Sequence, residues 1–232
     1  MNSFLLQIPL TTDSLSAPVI TEKTLSVIDL ITSGGIGGNL VMGALGVLSI
    51  FAVYILIERF SAIRKASIED DSFLKSIQNF VEAKDIEAAK TLCRNTDTPI
   101  SRMIEKGVNR INKPMTDISA AIENQGKLEV FKMENNLANL ATISGAAPMI
   151  GFLGTVIGMI VAFHEMASAG GNIDVEMLSK GIYTAMTTTV AGLIVGIIAF
   201  IAYNYLVSKV DKVVFMLEAK TTEFLDLLHH NE

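Results

Sequence analysis

The sequence predicts an all-α membrane protein built on three transmembrane helices, and three observations carry that reading. Asp, Glu, Lys and Arg are absent from residues 30–57, 135–164 and 181–208, runs of 28, 30 and 28 residues. Each exceeds the roughly 20 helical residues needed to cross a hydrocarbon core of about 30 Å. Charged residues make up only 18% of the chain and mean hydropathy is +0.46, whereas soluble domains average about 25% charged. Basic residues are also unevenly placed. Thirteen of the 18 lie between Arg59 and Lys132, and three more (Lys209, Lys212, Lys220) follow the third run.

That last pattern predicts orientation. Loops rich in Lys and Arg stay on the cytoplasmic side, so residues 58–134 and 209–232 are expected inside. The leader, 1–36, holds only Lys23, and the hairpin, 165–180, only Lys180. Both are expected outside, giving an N-out, C-in layout.

The opening MNSFLLQIPL has no basic residue before its apolar run, so no cleaved signal peptide is expected. Within the leader, Thr21–Gly35 has Leu25, Ile28 and Ile31 at helical spacing, with Gly34 and Gly35 as its expected stop. It reads as an interfacial amphipathic helix. The first span, 37–57, is oily nearly throughout and is assigned to lipid and packing.

Residues 58–134 then read as cytoplasmic helices. Asp70 and Asp71 open one that carries Phe73, Leu74, Ile77, Phe80 and Val81. Asp85 caps a second with Ile86, Ala89 and Leu92 inside. Thr98-Pro99 starts a third in the order cap, then proline at the first helical position, with Ile100, Met103, Ile104 and Val108 as its inner stripe. Asp117 is expected to open a helix with no breaker before Pro148, running on through the second span, 135–164, for roughly 70 Å at 1.5 Å per residue. The third span, 181–208, is likewise expected to continue past the bilayer, through Val213, Leu217, Phe224, Leu225 and Leu228.

No enzyme motif is present: there is no G-x-S-x-G elbow and no P-loop. His164-Glu165 lacks the second histidine of a zincin, and His229 and His230 read as a solvated end. His164 falls at the outer lip of the second span as an interfacial histidine. Cys93, the single cysteine, excludes an intrachain disulfide or a Cys-based zinc motif and reads as a small apolar packing residue. A net charge of −6 argues against nucleic acid as a partner. Neither a cofactor nor a metal is expected.

The informative residues are small and hydroxylated ones where lipid should select oil. Thr184, Thr188, Gly192 and Gly196 recur at i+4 in the third span; Gly154, Gly158 and Ala162, beside Ala147, Gly151 and Thr155, do so in the second. Small-xxx-small stripes let helix backbones approach closely in lipid. Four threonines in six residues (Thr184, Thr187, Thr188, Thr189) present hydroxyls on more than one face, more than a packing seam requires. A hydroxyl-lined path can hold water but cannot take up and release protons near neutral pH. With no acid or base well inside any span, conduction requires a carboxylate from another chain, and intramembrane carboxylates mark function.

The stretch Ala147-Pro148-Met149-Ile150-Gly151-Phe152-Leu153-Gly154-Thr155-Val156-Ile157-Gly158 resembles the second-span signature of the ExbB/TolQ/MotA proton-channel family. Ala185-Met186-Thr187-Thr188-Thr189-Val190-Ala191-Gly192-Leu193, closing at Ala202-Tyr203-Asn204, resembles its third span. The three-span layout is similar to ExbB and TolQ, and less so to the four-span MotA branch. The resemblance implies a homopentamer in the bacterial inner membrane around an ExbD/TolR-like single-span partner that brings the aspartate. A TonB- or TolA-like protein would carry the resulting motion to the outer membrane. Thr155 and Thr189 match the family's pore threonines. Spacing adds Thr188, and Thr184 stands where the ExbB branch often has glutamate. Gly151, Gly154, Gly158, Gly192, Gly196 and Pro148 are expected to pack the helices. A non-conducting scaffold, or a gliding- or flagellar-type motor of the same family, is the alternative; a secondary transporter is disfavoured by the absence of inverted repeats.

Overall fold

A computed structural model describes residues 35–67, 71–168 and 175–230. All elements among the described residues are α-helices: α1 Gly35–Ala66, α2 Asp71–Glu82, α3 Ile86–Thr96, α4 Pro99–Val108, α5 Met115–Glu134, α6 Leu137–Ser168 and α7 Val175–His230. Three stretches are long and apolar enough to cross a membrane: Gly37–Ala66, Met115–Ser168 (α5 and α6 together) and Leu178–His229. Only 22 to 28% of each most apolar window is buried, so side chains such as Ile50, Met149 and Ile201 face outward. In water such a surface would be untenable; facing lipid, it is what a span requires.

The membrane bundle is α1, α6 and α7, with α6 and α7 the most extensively packed pair. Gly35, expected to end a leader helix, instead lies in the first turn of α1. A Cβ added at Gly37 would come within 2.9 Å of the Ile157 side chain, so that glycine lets α1 approach α6 closely. The rest of the expected leader helix, 21–34, lies outside the described residues. So do 169–174 of the hairpin, whose flanks are the last turns of α6 and the first of α7.

Beyond the bundle, α2, α4 and α5 fold against the lower half of α7, and α3 packs on α2 and α4. Asp85 accepts from the Ala88 amide at 3.1 Å. Thr98 and Ser101 cap each other's backbone at the start of α4, with Pro99 at its first position. The buried stripe of α4 (Ile100, Met103, Ile104, Val108) shares one core with Phe73, Ile77, Ile122, Leu217, Phe224 and Leu228. Cys93 is buried there too; burial first, then the Glu105 carboxylate, pushes its thiol up to about 12, which makes it inert packing.

The long helix expected from Asp117 starts earlier, behind Pro114, and breaks at Asn135–Asn136. Asn136 takes φ 65°, a left-handed conformation that asparagine tolerates better than most residues. The break leaves late carbonyls of α5 without helical donors. The Arg59 guanidinium, buried at the end of the first span, donates to the Lys132 carbonyl at 2.9 Å, and the Asn136 amide donates to Glu58 at 3.4 Å. The two adjacent asparagines open the uncharged run 135–164, but it is Arg59 and Glu58 of α1 that complete the break.

Candidate functional site

Residues 135–164 and 181–208 meet along a seam where backbone touches backbone. A Cβ placed on Gly192 would sit 2.5 Å from the Ala147 carbonyl oxygen and 2.9 Å from the Gly151 Cα. One on Gly151 would sit 2.7 Å from the Thr188 carbonyl oxygen, and one on Gly158 2.8 Å from the Ala185 Cβ. Farther down, Gly196 lies against Pro148. Proline has no N–H, so the Ser144 carbonyl lacks its helical donor; a Cβ on Gly196 would lie 3.0 Å from that oxygen. Glycine thus leaves room for the exposed carbonyl and for the proline ring.

The hydroxyls divide into two sets. Thr189 Oγ1 donates across the seam to the Gly151 carbonyl at 3.1 Å. Thr188 Oγ1 donates to Ala185 in its own helix at 2.7 Å and lies 3.2 Å from the same Gly151 carbonyl. A hydroxyl has one proton, so these two contacts share it. Thr188 is only 2% exposed, enclosed by the place where a Gly154 Cβ would be and by Val41 of α1 nearby. Spacing grouped Thr188 with lumen-facing hydroxyls; in the chain it is enclosed within the seam.

Thr155 and Thr184 are half-buried. Thr155 donates to the Phe152 carbonyl at 2.6 Å and Thr184 to the Lys180 carbonyl at 2.8 Å. Thr184 also sits beside the start of α1, its methyl 3.9 Å from a Cβ at Gly38. These hydroxyls bond back into their own helices, as threonine does in apolar surroundings. Their oxygens keep a free lone pair, so they can still accept from water. His164 is exposed at the far end of α6. No cluster of His, Cys, Asp or Glu that could hold a metal occurs among the described residues.

Sequence reasoning missed the one buried carboxylate among the described residues. Glu129 on α5 is 2% exposed and accepts from Nε and Nη2 of Arg102 (3.1 and 2.7 Å), the Gln125 amide (2.8 Å) and Lys132 (2.9 Å). Burial would raise its pKa, but the hydrogen bonds and charges of Arg102 and Lys132 outweigh it and hold the carboxyl below its usual range. Lys132 and Gln125 are helical neighbours, but the bidentate partner Arg102 lies 27 residues away, where local spacing does not reach.

Residues 95–219 match the MotA/TolQ/ExbB proton channel family, more than half of the chain. The chain belongs to this family. Three relatives illustrate the similarity. A biopolymer transport ExbB homolog of Methanothermobacter thermautotrophicus is 28% identical over 80% of this chain and 64% of its own length. TolQ of the Tol-Pal system of Pseudomonas aeruginosa is 24% identical over 91% of this chain and 96% of its own. Biopolymer transport protein ExbB of Helicobacter pylori is 40% identical, over 34% of this chain and 54% of its own. The chain therefore spans just under two thirds of the first relative and about half of the third. Within the MotA/TolQ/ExbB family the α6–α7 seam, with its threonines, lies wholly inside the matched region. The protein is a multi-pass membrane member of a proton-channel family, a transport class and not an enzyme class.

Proposed function

We propose that this chain is the ring-forming subunit of a proton-driven motor in the bacterial inner membrane, N-out and C-in. It would assemble as a homopentamer around an ExbD/TolR-like single-span protein and act on a TonB- or TolA-like one. The observation that carries the reading is a glycine- and threonine-lined pair of helices with no Asp, Glu, Lys or Arg within residues 135–164 or 181–208, where the single histidine, His164, stands at the outer end. Thr155 and Thr189, with Thr184 at the outer end, line a wet path. Thr188 braces α7 against α6 behind them, and Gly151, Gly154, Gly158, Gly192, Gly196 and Pro148 hold the two rods together.

The path has hydroxyls to order water but nothing that titrates, so the partner's carboxylate binds and releases the proton. Each charge falling through 100 mV supplies about 2.3 kcal/mol, and several protons are needed for one sizeable mechanical step. An oligomer is favoured by Phe131 and Phe215, which are 69% and 75% exposed beyond the spans, where no lipid covers them. Both ExbB-like and TolQ-like relatives match, so the cargo is left to the partner.

Reconstituting the chain with its single-span partner and following pH inside vesicles tests this. Proton flux is expected only when both are present, and Thr155→Val with Thr189→Val should reduce it on the order of tenfold or more. No flux with the partner present, or flux indifferent to both substitutions, leaves a non-conducting scaffold.

A further inference from the structure

Where α1 and α7 leave the membrane side by side, a cavity of about 200 Å³ opens between them, lined by Phe60, Ile63, Arg64, Tyr205, Leu206 and Lys209. Its walls are two aromatic rings and two cations. Phe60 and Tyr205 stack with centroids 6.4 Å apart, and Lys209 Nζ lies 5.6 Å from the centre of the Tyr205 ring. Neither Arg64 nor Lys209 has a salt-bridge partner among the described residues, while the neighbouring Arg59 is paired with Glu58. The height is specific. Glu58 and Lys209 are the first charges after the first and third spans, so the cavity sits at the level of lipid headgroups.

One step deeper lies a second, mostly apolar crevice of about 50 Å³, bordered by Val53, Leu56, Ile198 and Ala202 of the same two helices and by Leu140 of α6. Leu56 precedes Phe60 by one turn on α1, and Ala202 precedes Tyr205 by one on α7. A basic pocket at the interface with an oily slot one helical turn deeper follows the polarity of a phospholipid.

We propose that this α1–α7 groove is a binding site for an anionic phospholipid of the leaflet next to α2–α5. Arg64 and Lys209 grip its phosphate, Phe60 and Tyr205 flank the glycerol region, and an acyl chain lies along Val53 and Ile198. Two free cations facing a negatively charged surface are the chemistry that selects anionic over zwitterionic headgroups. Arginine in particular grips phosphate with paired donors, and interfacial tyrosine fits the glycerol level. The proposal rests on the membrane assignment and not on conduction.

Native mass spectrometry of the purified full chain, in micelles doped equally with phosphatidylglycerol and phosphatidylcholine, tests it. Retained phosphatidylglycerol is expected to exceed phosphatidylcholine on the order of tenfold or more. Arg64→Gln with Lys209→Gln should erase that preference while helicity and oligomeric mass stay as in the wild type. Arg64 is exposed, so Arg64→Gln alone gives a smaller loss that can be read even if the pair misfolds. Val53→Trp, which fills the oily slot and leaves both cations, should also lower retention. Equal retention of the two lipids, or full retention by the charge variants, overturns the proposal. So does a lipid that millimolar inorganic phosphate displaces and Val53→Trp leaves bound, because the groove would then be a site for a free anion.

Discussion

One helix, α7, is held in two different ways along its 56 residues. Within the span its neighbours are met through absence of side chain: Gly192 and Gly196 rest on the carbonyls and proline of α6. Past the span the contacts are made by bulk, with Leu217, Phe224 and Leu228 buried against α2, α4 and α5. The solvent explains the change. Lipid tails are as apolar as leucine, so burying leucine between membrane helices gains little, and close backbone approach supplies the attraction instead. In water the same helix gains about 25 cal/mol for each Å² of apolar surface removed. Charge follows the same division: Glu129, with four hydrogen bonds, belongs to the watery half.

The contrast is sharpest where a side chain is deleted from one half or added to the other. Phe224 is 1% exposed, its ring edge 2.9 Å from where a Gly107 Cβ would lie. Phe224→Ala should destabilise the extension by about 3–5 kcal/mol, read from the thermal transition of the detergent-solubilised chain by circular dichroism. Gly192→Ala adds one methyl where backbone, not a movable side chain, stands 2.5 Å away. It should cost about 1–3 kcal/mol through forced separation of α6 and α7. A neutral Gly192→Ala would remove the distinction drawn between the two halves.

Glu129→Gln sharpens the comparison through pH. Partners hold the Glu129 carboxyl below its usual range. Its contribution is therefore present above the unfolded value of about 4.3 and is lost as pH falls through the lower folded value. The substitution should cost about 2 kcal/mol near neutrality, the scale of hydrogen bonds to a charged group. It should also flatten the acid limb of a stability-against-pH curve measured by chemical unfolding. The seam, which has no Asp or Glu to titrate, should keep its stability across that range. An acid limb unchanged in Glu129→Gln would count against this assignment.

How much of this was legible beforehand follows the same physics. The spans, the Asp85 and Thr98 caps, and the inner stripe of α4 are local patterns, set by residues three or four apart. The break at Asn135–Asn136 was not read, because two asparagines alone specify no fold; Arg59, 73 residues from the carbonyl it caps, completes the arrangement. Glu129 was missed for the same reason. Among the threonines, i+4 spacing put Thr188 on a stripe with Thr184 but could not tell an enclosed hydroxyl from an open one. That depends on Val41 of α1 standing next to Gly154, which no periodicity within α7 records.

The smallest expected effect has the opposite sign and tests whether glycine in a span always means contact. Gly43 and Gly46 of α1 have nothing within 4 Å of an added Cβ, unlike Gly151 or Gly192. With open space, alanine adds helix propensity and removes backbone freedom from the unfolded chain. Gly43→Ala and Gly46→Ala should each stabilise by about 0.5–1 kcal/mol, measured by the same thermal transition in micelles that hold the chain as a monomer. Repeating the measurement on the assembled oligomer separates two situations. A gain in both states means that face of α1 meets lipid. A gain in the monomer turned to a loss in the oligomer means a neighbouring subunit's helix lies there, and α1 joins the seam as a third place where missing side chains do the packing.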